Sequence, residues 1–188
     1  MGFDINPYDT CVANNIINGK QCTVCWYIDD LKISHIEQVV IDNIIKKTEE
    51  RYGKMTVTHG NSHTYVGMDI HFKGNREVTI VMSKYLIECI ADFGEDCSKV
   101  VATPAGNKIF ESNPDCPKLT EAKRKKLHII VTKLLFVAMR ALPDIQVPVS
   151  YLISRVTKAD KDDWKKLKRM LQYINATINM KMTLSVDD

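Results

Sequence analysis

The residues best placed to do chemistry lie between Cys22 and His35, where the chain reads Cys-Thr-Val-Cys-Trp-Tyr-Ile-Asp-Asp-Leu-Lys-Ile-Ser-His. Two apolar, β-prone runs, Thr23 to Ile28 and Leu31 to Ile33, flank the adjacent carboxylates Asp29 and Asp30. Read as the strands of a hairpin, these runs put both carboxylates at its tip. Side chains alternate along a strand, so Val24, Trp26 and Ile28 share one face while Cys25, Tyr27 and Asp29 share the other. Two anionic groups at a turn, with an aromatic beside them, can hold divalent cations against phosphate oxygens. The same pair also suits a solvated acidic turn, since Asp is an ordinary turn residue.

A second set, Cys22-x-x-Cys25 with His59 and His63, has the residue types of a zinc site. Residues i and i+3 of a strand point to opposite faces, however, and the histidines lie far along the chain, so no metal is expected there. The six cysteines come without a secretory context and read as free thiols.

The elements that must position the carboxylates follow from local pattern. Residues 1 to 10 are turn-rich, with Asn6-Pro7 as a loop marker. Cys11 to Ile17 reads as a strand, and Asn18-Gly19 is a hairpin turn that leads into the strand from Cys22. The result is a three-strand antiparallel meander ending at Ile33. Ser34 with Glu37 is a capping-box pattern for a helix over 35–52, with Ile36, Val39, Val40, Ile44 and Ile45 as its apolar stripe and Gly53 as its stop. Met55 to Thr58 is a short strand candidate. Residues 64 to 72 alternate as one strand, turn through Lys73-Gly74-Asn75-Arg76, and pair with a strand carrying Val78, Ile80 and Met82. Ser83 caps a helix over 84–93 stopped by Gly94, and 95–118 is a long connection. Thr120 opens a helix with the stripe Leu127, Ile130, Val131, Leu134, Leu135 and Ala138. Pro143-Asp144 caps a helix over about 145–156, and a last helix over about 160–175 buries Trp164, Leu167, Leu171 and Ile174. Strands first and helices second predict an α+β class.

Composition sets outer bounds. The 188 residues are 45% hydrophobic and 26% charged, the balance of a globular protein, with a net charge of +3. Any nucleic-acid footprint must therefore come from local clusters such as Lys123-Arg124-Lys125-Lys126 and Lys165-Lys166 with Lys168-Arg169. These clusters read equally well as solvated helix faces. No signal peptide opens the chain, and the best apolar run, Leu127 to Met139, is interrupted by Lys133. The expectation is an intracellular protein, cytoplasmic or nuclear, with no membrane contact.

Tyr27-Ile28-Asp29-Asp30-Leu31 between hydrophobic strands resembles the Tyr-x-Asp-Asp hairpin of reverse transcriptases, in particular the copia-type retrotransposon polymerases. The resemblance covers nearly the whole chain in order. Gly2-Phe3 with Asp9 and Cys11 resembles the stretch before that hairpin, and Tyr65-Val66-Gly67-Met68 after Gly60 resembles the primer grip. Ser83-Lys84-Tyr85-Leu86, Phe93-Gly94 and Thr103-Pro104 resemble the lead into the thumb. Pro143-Asp144-Ile145 and Trp164 to Thr177 resemble the connection toward RNase H. Two departures stand out. The family's upstream carboxylate, in a Leu-Asp-x-x-x-Ala-Phe context, has no match before Tyr27, and Leu142 stands where the family usually has Arg.

The resemblance implies a palm-type antiparallel sheet with packed helices over 1–82, a thumb-like helical region over 83–157, and the start of a connection over 158–188. It implies RNA-directed DNA polymerisation, a nucleotidyl transfer on two Mg²⁺ ions (or Mn²⁺), acting on a template–primer and deoxynucleoside triphosphates. Asp29 would be a metal ligand with Asp30 a lesser one, and Tyr27 would flank the primer end. Tyr65, Val66, Gly67 and Met68 would hold the primer backbone. Lys123, Arg124, Lys125, Lys126, Lys165, Lys168 and Arg169 would meet phosphates. Lacking the upstream carboxylate, the chain is expected to be weakly active or inactive unless an upstream fingers and palm segment completes its sheet. A non-catalytic nucleic-acid-binding remnant of a decayed retroelement is the competing expectation.

Overall fold

The computed structural model describes residues 1–74 and 76–186; Asn75, part of the expected 73–76 turn, and Asp187–Asp188 lie outside the described residues. The chain forms two compact units, Met1–Val66 and Gly67–Asp188. Both combine antiparallel strands with helices, an α+β architecture.

In the first unit β1 (Asp4–Ile5), β2 (Val12–Ile17), β3 (Lys20–Tyr27) and β4 (Asp30–Ser34) pair antiparallel in sequence order. Asn18 and Gly19 join β2 to β3 with left-handed backbones (φ 53° and 72°), which this residue pair adopts at little cost. The register sets Cys25 opposite both Val12 and Lys32, and Tyr27 opposite Asp30. One face of the sheet therefore carries Ala13, Ile17, Cys22 and Ile33; the other carries Asn14, Thr23, Cys25, Tyr27, Asp30 and Lys32. The helix α1 (Gln38–Tyr52) covers the first face, where Cys22, Val40 and Ile44 form a small core with Phe3, Ile17 and Ile33 packed against it. The unit closes with β5 (Ser62–Tyr65).

In the second unit β7 (Glu77–Val81) pairs antiparallel with β6 (Met68–Lys73) and with β8 (Met182–Ser185). The helices α2 (Ser83–Phe93), α3 (Glu121–Ala138), α4 (Gln146–Arg155) and α5 (Lys161–Ala176) build the larger core. Leu127, Ile130, Val131 and Leu134 of α3 meet Leu167, Met170, Leu171 and Ile174 of α5 there, all with no exposed surface. Phe93 stacks on Trp164 with ring centroids 4.8 Å apart. Thr120 accepts from the Lys123 backbone N–H at the start of α3, and Gly94 ends α2 in a left-handed conformation. Pro143–Ile145 forms a single 3₁₀ turn before α4, and Pro148 falls in the first turn of α4, where proline is tolerated.

Several expectations need correction. The helix expected from residue 35 begins at Gln38, and Glu37 stands at its cap with no side-chain hydrogen bond. Ser34 is committed to β4, and His35 Nδ1 instead accepts from the Glu37 N–H at 3.0 Å. Of the expected stripe only Val40 and Ile44 are buried, whereas Ile36 is 76% exposed. Met55 to Thr58 forms no strand. The strand expected over 64–72 is cut at Val66-Gly67, where both residues take left-handed backbones (φ 49° and 72°). Ser83 is the first residue of α2 and not its cap; its hydroxyl donates to the Ile178 carbonyl at 2.7 Å. The strand that carries Cys22 to Tyr27, β3, lies inside the sheet between β2 and β4, and the outer strands are β4 and the two-residue β1.

A buried ionic cluster fixes the α4–α5 corner. Arg155 donates to Asp160 at 2.8 Å and to Asp163 at 3.1 Å, with side chains 11%, 2% and 1% exposed in that order. Asp160 and Asp163 also form a reciprocal capping box at the start of α5. Backbone N–H groups complete the set, those of Asp162 and Asp163 donating to Asp160 Oδ1 and that of Asp160 to Asp163 Oδ2, and leaving either charge unpaired would cost several kcal/mol.

The Pro143-Asp144 and Tyr173 positions, singled out by resemblance, are tied together: the Tyr173 hydroxyl donates a short hydrogen bond to the Asp144 carboxylate. That bond first, and then burial, pushes the phenol up to about 12. The proton is held more tightly in the fold than in the unfolded chain, where a phenol titrates near about 10. This contribution is therefore whole below pH ~10 and lost between about 10 and 12. In urea titrations from pH 9 to 12, the wild type should lose stability over that window and Tyr173→Phe should not; parallel curves would contradict the assignment.

Candidate active site

The carboxylate pair sits where the sheet turns. Tyr27 and Asp30 are paired residues, so the two-residue link between β3 and β4 is Ile28-Asp29. Asp29 is at the tip and Asp30 is the first residue of β4, a correction to the expectation that Ile28 and Asp29 continue the strand's alternation. Ile28 pays for this tight turn with a left-handed backbone (φ 52°) and an 80% exposed side chain. A β-branched residue rarely adopts that conformation, which costs roughly 1–2 kcal/mol. Val66 is the other β-branched residue with a left-handed backbone among the described residues, and it lies in the second stretch singled out by resemblance. Strain concentrated at such positions marks segments whose geometry is imposed by something other than local preference.

The face of the sheet that carries Tyr27 and Asp30 is polar. Thr23 Oγ donates to Asn14 Oδ1 at 2.7 Å, and Lys32 Nζ donates to Ser34 Oγ at 3.1 Å. Burial lowers the Lys32 ammonium and raises the Cys25 thiol, with Lys32 pulling Cys25 back down. The Tyr65 phenol is raised by burial and then by Cys25, Asp30, Cys11 and Asp9, so the first residue of the Tyr65–Met68 stretch lies within electrostatic reach of the hairpin. Gly67 stands 3.9 Å from the Tyr85 ring, measured from where a Cβ would sit; its backbone, more than this ordinary contact, calls for glycine.

The donor set is short for a two-metal centre. Among the described residues no group of three or more His, Cys, Asp or Glu side chains is placed to hold a metal ion. Mg²⁺ demands near-octahedral oxygen coordination, and two neighbouring carboxylates do not position a pair of such ions. The residues of this chain therefore do not by themselves fit the expected metal centre. A cleft of about 280 Å³ in this unit, lined among others by Phe3, Ile17, Val40 and Lys47, contains neither carboxylate.

The basic clusters of the second unit are engaged within the chain. Glu95, which the sequence did not single out, accepts from Trp164 Nε1 at 2.9 Å, Lys168 at 3.2 Å and Lys123 at 3.5 Å. Burial would raise its carboxyl, but these partners outweigh that and hold it low. Lys123 also stands 4.7 Å over the Trp164 ring. Arg124 pairs with Glu121 at 2.5 Å, Lys125 reaches the same carboxylate at 3.8 Å, and Lys165 pairs with Asp162 at 2.9 Å. Lys126 donates to the Phe93 carbonyl at 3.3 Å and Arg169 to the Thr103 hydroxyl at 3.1 Å.

Comparison with known proteins bears on ancestry. No family model and no solved structure matches. The chain is 25% identical over 160 residues to a putative transposon Ty5-1 protein of Saccharomyces cerevisiae, an alignment covering 84% of this chain and 50% of that protein. This supports a retroelement origin. The chain thus spans about half the length of that protein. No helix among the described residues is long and apolar enough to cross a membrane.

The turn strain can be measured. Asn tolerates the left-handed region, so Ile28→Asn should raise the unfolding free energy by about 1 kcal/mol in urea titration. An unchanged or lower stability would show that the turn carries no strain.

Proposed function

We propose that this chain is the hairpin-bearing part of an RNA-directed DNA polymerase of the copia type, acting with an upstream segment that completes its sheet. The observation that carries the reading is the Asp29–Asp30 pair, presented at a two-residue turn on a strained backbone beside Tyr27. The retroelement similarity supports it. The upstream segment would add a strand along β4, one of the two outer strands of the first sheet, and bring the further carboxylate that a Mg²⁺ or Mn²⁺ centre needs. Asp29 and Asp30 would then be two of its ligands, and the Tyr65–Met68 stretch would hold the primer strand. Lys123 to Lys126 and Lys165 to Arg169 would meet the template–primer backbone only by competing with their present partners, so such contacts would be weak and salt-sensitive.

A second reading, a non-catalytic nucleic-acid-binding remnant, is favoured by the short donor set. Primer extension in Mg²⁺ separates the two. Each electrostatic donor missing from a transition-state site costs roughly 10²–10³ in rate. The chain alone should therefore extend a primer at least ~10²-fold more slowly than the chain supplied with its upstream segment. Asp29→Ala should abolish the restored activity. Restored extension that survives Asp29→Ala, or no extension in either format, would leave the remnant reading.

A further inference from the structure

The loop between β1 and β2, Asn6–Cys11, displays the most exposed aromatic side chain among the described residues. Tyr8 is 98% exposed. Its ring has no packing role, but its backbone is held firmly. Asn6 Oδ1 accepts from the N–H groups of Tyr8 at 2.8 Å and Asp9 at 3.3 Å, and Asp9 Oδ1 accepts from Cys11 N–H at 2.9 Å. Asn6 N–H donates to the Val12 carbonyl and Val12 N–H to the Asp9 carbonyl, and Pro7 fixes one φ within the loop. A ring on so constrained a backbone can be covered by a ligand at little cost in chain entropy.

Strand order locates the loop. In a meander, alternate connections fall at the same end of the sheet. The β1–β2 loop and the Ile28-Asp29 turn are therefore together, while Asn18-Gly19 is at the opposite end. The Trp26 N–H bond to the Cys11 carbonyl, 2.9 Å, fastens the loop beside the end of β3. The two connections are two strand spacings apart, about 10 Å. That distance is about three base steps of 3.4 Å along a nucleic-acid strand.

We infer that Tyr8 is a stacking platform for an unpaired template base next to the primer end. The inference rests on the polymerase reading and gives it a further positioning residue. The surroundings favour a base over a protein side chain. Asp9, Asp29 and Asp30 are all exposed at this end of the sheet, and charged residues of one sign are depleted from the centre of protein interfaces. A π-face tolerates such a rim, because stacking needs only the ring itself and every base has one. The same carboxylates repel phosphate, so the contact calls for divalent cations in solution.

The test is fluorescence anisotropy of the full chain with two labelled duplexes in low-salt buffer with Mg²⁺: one blunt, one with a 5′ single-stranded template overhang. Tyr8→Ala should weaken binding of the overhang substrate about 5- to 100-fold and leave the blunt duplex within about twofold, while Tyr8→Phe should bind both like the wild type. Because the ring packs against nothing, the variants should keep the wild-type circular dichroism and melting curve. Equal binding of the overhang substrate by Tyr8→Ala and wild type would overturn the inference and leave the polymerase reading intact, as would an equal loss on both duplexes. Failure of the wild-type chain to bind either duplex would overturn the inference too, whereas the polymerase reading stands or falls on extension with the upstream segment present.

Discussion

The pairing of Tyr27 with Asp30 is the constraint on which the rest of the first unit depends. It leaves only two residues to reverse the chain, forces Ile28 into a conformation that a β-branched side chain resists, and leaves Asp29 no place but the tip. The same register sets which residues face α1. Cys22 and Ile33 go to the core, and Thr23, Cys25 and Asp30 go to the other face. A slip of β4 by one residue would put Lys32 or Ser34 in the place of Ile33, against the small core around Val40 and Ile44, at a cost that core could not offset. Position of the acidic pair and integrity of the sheet are therefore one requirement.

The second unit solves a different problem, that of holding four helices together with many charges. Its apolar core is continuous, and ionic contacts around it join elements distant in sequence: Arg155 to the start of α5, and Glu95 to both α3 and α5. Exposed ion pairs of the Lys165–Asp162 kind contribute little. The buried ones mainly fix geometry, since breaking them would strand a charge. The lysines and arginines of these clusters are in this way partly engaged within the chain, which leaves fewer of them to meet a phosphate backbone.

Much of the helical unit was legible because its signals are local. Thr120 is a cap residue, Gly94 is a stop, and the stripes of α3 and α5 keep helical spacing. The misses came where pairing outweighed local pattern. Ser34 looked like a cap but its backbone belongs to β4, and Val66 looked like a strand residue but takes a left-handed backbone. The four residues of β8 were too few to register as a period, and only pairing with β7 defines them. The acidic hairpin itself was visible in sequence, whereas the partners of Lys123 and Lys168 were not, because Glu95 lies in an irregular connection far from both. The Asp160-x-x-Asp163 spacing could have revealed the capping box, though not Arg155 as its third member.

In the proposed polymerase β4, an outer strand of the first sheet, is where the upstream segment would pair. In an antiparallel pair that closes on a Tyr27–Asp30 turn, the N–H groups of Asp30, Lys32 and Ser34 face β3, and those of Leu31 and Ile33 point outward. Amide hydrogen exchange on the chain, resolved by NMR at single residues, reads this directly. The Lys32 amide should be protected, between Leu31 and Ile33 amides that exchange nearly as fast as in an unfolded peptide. Protection of Leu31 and Ile33 equal to that of Lys32 would mean that this edge is already covered, and would leave the proposed upstream strand no place beside β4.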